Sequence, residues 1–258
     1  TALAGDQKDL DKAFVLVRLY QLPTEGPELV QQITYATNSQ NPVDLRDLRS
    51  NDAVQQKLEL SIEQLGYSYR RKRSDTPPKT TDITTATAAE AVLSVWKKRP
   101  HQAKFMSREH FGKLYEVIFS PELNGAQVVA ATLLFRFAEN RRKRPPEGSP
   151  NFIPYASCYV AMLMGRYLLK DAKIELPALD HRNFNSIKDL IEKNGETYYA
   201  TAIEAIKTAL ENLYKDQEVS LQRLSATFRR EDLIEFLDVP QPGAELLTPS
   251  VSNPPTVI

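Results

Sequence analysis

The sequence predicts a mainly α-helical protein, with a small α/β lobe at its amino terminus and a multi-helix domain following it. Three observations carry this. Apolar residues recur at three- and four-residue spacing through most of the chain, which is the period of a helix face. Glycine is scarce, nine in 258 residues, against what a turn-rich sandwich needs. The two β-like runs, residues 14–20 and 67–72, both lie near the front.

Residues 14–20 are short, β-branched or aromatic, and closed by Pro23 and Gly26, so they read as a buried strand. Pro27, suited to a first helical turn, opens a helix over 28–37 whose stripe is Leu29, Val30, Ile33 and Ala36. The polar run from Asn38 to Pro42 stops it. A second helix starts near Ser50, Asn51 and Asp52, whose side chains can accept from free first-turn amides. Its stripe is Val54, Leu58, Ile62 and Leu65, with Gly66 as a left-handed stop. Residues 67–72 then alternate aromatic and polar, as in a half-exposed strand.

Residues 73–81 hold Pro77 and Pro78 and read as a linker, which divides the chain into an α/β lobe over 1–75 and a helical domain over 76–239. In the second part Thr87 and Glu90 have capping-box spacing ahead of Ala91, Val92, Val95 and Trp96, with Pro100 past the helix end. Ser107 precedes Phe111, Leu114, Tyr115, Ile118 and Phe119. Asn124 precedes the apolar run 128–137, continuous enough for a central, nearly surrounded helix. The same reasoning predicts helices near 154–170, 183–194, 196–214 and 219–237. The tail over 240–258 has five prolines in nineteen residues and reads as extended or disordered.

Lysine plus arginine and aspartate plus glutamate both number 33, which excludes a globally basic nucleic-acid coat and leaves only local patches. With Cys158 alone, a disulfide framework and a multi-cysteine zinc site are excluded, and a reducing compartment is expected. No apolar run approaches the roughly 18 residues that span a bilayer. A soluble, cytoplasmic chain with no membrane partner is therefore expected, and its start at Thr1 without Met suggests a fragment of a longer protein.

The polar block after the first helix offers amides and carboxylates where free backbone groups can meet a ligand or a second chain. The same residue types also simply cap a helix and turn the chain. The order Ala36, Thr37, Asn38, Ser39, Gln40, Asn41, Pro42, then 47–52, then Gly66 and Tyr67 with Tyr69 to Lys72, resembles the AIPR family, proteins linked to abortive infection and phage resistance. Ile83 to Thr85, Pro100 with Ala103, and Tyr115 with Ile118 and Phe119 continue the likeness in order and spacing. It spans about residues 14–120 and resembles the family's carboxy-terminal part, because the Asn-Gly-x-Gln strand element and the suspected nuclease-like region of family members do not precede the block. The resemblance implies that hydrolytic activity, if present, belongs to that upstream region, and that the region or a second copy of the chain is a natural partner. The letters recur at Asn124 to Gln127, where they open a predicted helix.

Two basic clusters could neutralise phosphates, one at Arg70, Arg71, Lys72 and Arg73 beside Tyr67 and Tyr69, the other at Arg141, Arg142, Lys143 and Arg144. The second also suits the carbonyl end of a helix. With Asn38 and Gln40 they form the candidate nucleic-acid-binding set. No catalytic or cofactor signature is present: His101, His110 and His181 are scattered, there is no His-Glu-x-x-His and no glycine-rich phosphate loop. Glu109 and His110 read as surface residues and Cys158 as core. Asp44, Asp47 and Lys57 make only an arbitrary metal-nuclease triplet, so no metal ligands are assigned. The expected function is a nucleic-acid-contacting or regulatory module of a phage-defence protein; the alternative is a helical interaction or oligomerisation module, suggested by the apolar surplus over 128–137.

Overall fold

The computed structural model describes residues 45–238 except 73, 216 and 218, and all of them fall in one compact unit that begins at Leu45. The strand expected over 14–20, the helix over 28–37 and the tail from 240 lie outside the described residues. The order is α1 (Leu45–Arg49), α2 (Ala53–Glu63), β1 (Ser68–Arg70), β2 (Asp82–Thr84), α3 (Thr85–Val95), α4 (Pro100–Phe105), α5 (Tyr115–Ile118), α6 (Gly125–Lys143), α7 (Ile153–Ala172), α8 (Phe184–Tyr214), α9 (Leu221–Thr227) and α10 (Asp232–Asp238). The fold is mainly helical, with a two-stranded sheet near its front and a helical domain after it.

Helix α2 buries Leu58 and Ile62 completely. Gly66 ends the turn after it at φ +81°, a left-handed conformation that costs glycine little. Strand β1 follows, and it pairs in parallel with β2 in the register Ser68 to Asp82, Tyr69 to Ile83 and Arg70 to Thr84. The stretch 71–81 is thus the crossover between paired strands. Alternation puts Tyr69 and Ile83 inside and leaves Arg70 half-buried on the other face. The Tyr69 hydroxyl donates to Gln55 Oε1 at 2.7 Å, and Gln55 Nε2 donates to the Tyr115 hydroxyl at 3.2 Å. This buried chain ties the strand to α2 and α5.

The core lies where α3, α6, α7 and α8 pack. Asn124 and Gln127 form a reciprocal capping box at the start of α6, satisfying first-turn amides that would otherwise be orphaned. Gly125 is required there, because a Cβ would stand 2.7 Å from Ser61 C and 2.9 Å from Ile62 N. Val128, Val129, Ala130, Ala131 and Leu134 are fully buried. The apolar surplus that suggested an intermolecular face is therefore absorbed by the chain's own helices. Cys158 is 4% exposed, within the core as expected.

Several elements differ from the sequence expectation. The cap of α3 is Thr84, whose side chain accepts from Thr87 N, so Thr87 is the third residue of the helix and Asp82–Thr84 is a strand. Pro100 lies past the end of α3 as expected and also opens α4 as an early helical residue. The 107–119 region is broken into a 3-10 turn and the short α5, with Phe111, Tyr115 and Phe119 packed ring on ring. The two helices expected over 183–214 are one, α8, and Gly195 inside it marks close packing, since a Cβ there would lie 3.2 Å from the Phe137 ring. The single helix expected over 219–237 is two, α9 and α10. His110 is not a surface residue but 2% exposed; burial lowers its pKa against opposing hydrogen bonds to the backbone of Gln102 and Ala103.

Candidate nucleic-acid interface

Strand β1 delivers the first basic cluster to its carboxyl end. Arg70 pairs with the Asp82 carboxylate on the neighbouring strand, and its guanidinium also donates to the carbonyls of Thr76 at 2.7 Å and Pro77 at 3.4 Å. A backbone hydrogen bond at Lys79, opposed by desolvation and helped by Arg70, holds the Asp82 carboxyl below the usual range. Arg71 donates through Nε to Glu59 at 2.8 Å and through Nη1 to the Ser50 carbonyl at 2.5 Å. Both arginines thus hold the crossover and the α1–α2 turn in place. Lys72 is exposed and has no ion-pair partner among the described residues. Arg73, Asn38 and Gln40 lie outside the described residues.

The second cluster closes α6. Arg141 pairs with Glu196 of α8 and lies over the Phe137 ring at 5.6 Å and the Tyr199 ring at 6.0 Å. Arg142 grips both carboxylate oxygens of Glu139 with three donor contacts of 2.9–3.2 Å. Glu139 also accepts from Lys104 of α4 at 3.0 Å and from the Ser157 hydroxyl of α7. Burial alone would raise the Glu139 pKa, but these donors outweigh it and bring the carboxyl to about 2. Beside it, burial pushes Glu90 of α3 up to about 7, with Lys104 opposing and Glu139 adding to the rise. Lys143 and Arg144 are exposed, without ion-pair partners among the described residues. Their place at the helix end also favours cations through the aligned backbone dipoles.

The structure divides the members of both basic runs that the sequence singled out. In each cluster the first two arginines are tied to carboxylates, whereas Lys72, Lys143 and Arg144 are exposed without ion-pair partners among the described residues. Missed altogether was Arg46 of α1, which lines a hollow of about 260 Å³ together with Arg70 and Lys72. A lone arginine on a five-residue helix has no sequence pattern that would reveal this. The hollow opens at the carboxyl ends of the two parallel strands, beside the first residues of α3, the position where open parallel sheets receive ligands.

Of the acidic triplet, Lys57 donates to the Pro121 carbonyl at 2.8 Å, and Asp44 lies outside the described residues. Among the described residues no group of three or more His, Cys, Asp or Glu side chains could hold a metal ion, and no helix is long and apolar enough to cross a membrane.

No curated protein and no solved structure matches the chain. The family model described as AIPR protein does, over residues 1–222, which carries the likeness well past the motifs that suggested it and through α3, α6, α7 and most of the remaining helices. The chain belongs to the AIPR family.

Proposed function

We propose that this phage-defence, abortive-infection family member contacts nucleic acid through exposed cations at the ends of its regular elements, Lys72 after β1 and Lys143 with Arg144 at the end of α6. The observation that supports it is the division of labour within each basic run. Arg70, Arg71, Arg141 and Arg142 are neutralised by Asp82, Glu59, Glu196 and Glu139, whereas Lys72, Lys143 and Arg144 are exposed without ion pairs among the described residues. Charges left to solvent are available to displace counterions from phosphates.

The test is fluorescence anisotropy of labelled single- and double-stranded DNA and RNA at 50–200 mM salt, with the parent and the Lys72→Glu, Lys143→Glu, Arg144→Glu triple variant. About three phosphate contacts give a log–log salt slope near −2 to −3. The triple variant is expected to bind at least about tenfold more weakly and to lose most of that slope. Equal affinity of parent and variant for every nucleic acid would end this reading.

A further inference from the structure

We propose that Phe105, at the end of α4 with Arg229 laid over its ring, is a stacking platform for an unpaired base of single-stranded nucleic acid. This rests on the nucleic-acid reading above, to which it adds contact with bases. Five large apolar side chains are exposed among the described residues, and two of them, Phe105 at 45% and Met106 at 38%, are consecutive. Their exposure follows from how α4 packs: His101 and Ala103 take its buried face, and the last residues, Lys104 and Phe105, are left to solvent. The Arg229 guanidinium lies 4.7 Å from the centre of the Phe105 ring. Apolar side chains scattered singly over a surface are ordinary, but these two are adjacent and a cation from another part of the chain is fixed over one of them.

Both members of the pair are anchored through their neighbours. Arg229 follows Phe228, which is 1% exposed and packs against the Phe152 and Tyr159 rings, and the Tyr159 hydroxyl donates to the Arg230 carbonyl at 2.6 Å. Phe105 follows Lys104, which donates to Glu139 of α6 at 3.0 Å. A ring and a guanidinium held in this way lose little freedom when a third flat group joins them, and every base has a π-face that stacks on such a surface. The charge of the patch favours a base over a phosphate as its ligand. The exposed Arg108, Arg229 and Arg230 are followed in the chain by Glu109, Glu231 and Asp232, so the two signs balance. Net positive charge comes instead from the end of α6. Glu139, which Lys104 grips, also holds Arg142, and Lys143 and Arg144 follow it. Four residues of helix from Glu139 to Lys143 rise about 6 Å, so one strand segment reaches those cations with its phosphates and Phe105 with a base.

The experiment is fluorescence anisotropy with the full chain and two labelled single strands of equal length, a thymidine oligonucleotide and its abasic counterpart, which keeps every phosphate and lacks the bases. The parent is expected to bind the strand with bases about tenfold more tightly. Phe105→Leu, which keeps apolar bulk and loses the ring, brings that ratio close to one, and Phe105→Trp preserves it. Arg229→Gln, which withdraws the cation from the ring, lowers it about threefold. Leu60→Ala, which trims an apolar side chain 64% exposed on α2, leaves the ratio of the parent. A ratio of one in the parent, a preference that survives Phe105→Leu, or one lost equally in Leu60→Ala overturns the platform and leaves phosphate contact standing. If neither strand binds, the nucleic-acid reading and the platform fall together. Sedimentation velocity addresses the remaining occupant: a dimer of the parent that Phe105→Leu dissociates assigns the patch to a second copy of the chain and overturns the platform.

Discussion

The runs Arg70–Lys72 and Arg141–Arg144 are nearly alike as sequence and unlike as structure. At the end of β1, the partners of the arginines are an adjacent strand, two carbonyls of the crossover and the edge of α2. At the end of α6, Arg142 reaches a carboxylate whose side chain is only 15% exposed and which is shared among α4, α6 and α7. The first set closes a loop around a hollow, whereas the second cross-links three helices. Similar charge runs thus brace a crossover loop in one place and clamp helices together in the other, and the number of elements that share the partner carboxylate decides which.

Removing the clamp's acceptor should separate the two regions most sharply. Glu139→Ala leaves Arg142, Lys104 and the Ser157 hydroxyl without their common acceptor and is expected to lower unfolding stability by about 3 kcal/mol. Glu59→Ala, which removes a carboxylate 28% exposed and releases Arg71, should cost about 1 kcal/mol or less. Urea denaturation of both variants measures this, and equal losses would erase the distinction drawn between the regions.

A pH titration sharpens it next. Glu139, at about 2 when folded against an ordinary value of 4.5, contributes stability above pH 4.5 that is lost as the pH falls toward 2. Glu90 has the opposite sign. Its carboxyl, raised to about 7 chiefly by burial, binds a proton more tightly in the folded state, so stability declines as the pH rises from about 4.5 through 7. Glu90→Gln should flatten that decline and gain on the order of 2 kcal/mol at pH 8. The strand-end cluster is expected to add little in the same window, and an unchanged profile in Glu90→Gln would show that the helix-side carboxylates do not act as a coupled pair.

The smallest effect is chemical. Cys158 is buried and, chiefly for that reason, its thiol is pushed up to about 11, so little reactive thiolate exists at neutral pH. Alkylation of the native protein should be slow and should accelerate in Glu139→Ala as the surrounding helices loosen, while Glu59→Ala leaves the rate nearly as it was. Rapid labelling of the parent would contradict a closed helix-side core.

Much of the helical body was legible because its signals are local. Apolar spacing marked α2, α6 and α7, Asn124 marked where α6 begins, and Gly66 marked where α2 gives way to the strand. The misreadings occurred where a local signal had a non-local cause. Gly195 resembles a helix stop, yet it admits the Phe137 ring against an unbroken α8. Thr87 and Glu90 have the spacing of a capping box, yet the strand partner of Tyr69 ends at Thr84 and sets the helix start there. His110 looked exposed because nothing in its neighbours reveals a buried ring bonded to backbone at 102 and 103.

The sequence by itself determined the helical class, the solitary buried cysteine and the presence of two basic runs, since hydrophobic period, capping residues and charge are properties of neighbouring residues. Only the tertiary structure decided which of those charges meet carboxylates, that Arg46 joins Arg70 and Lys72 around one hollow, and that Glu90 and Glu139 titrate in opposite directions. Those outcomes depend on distances between residues far apart in the chain, and on desolvation, which exists only once the helices have closed over the groups they bury.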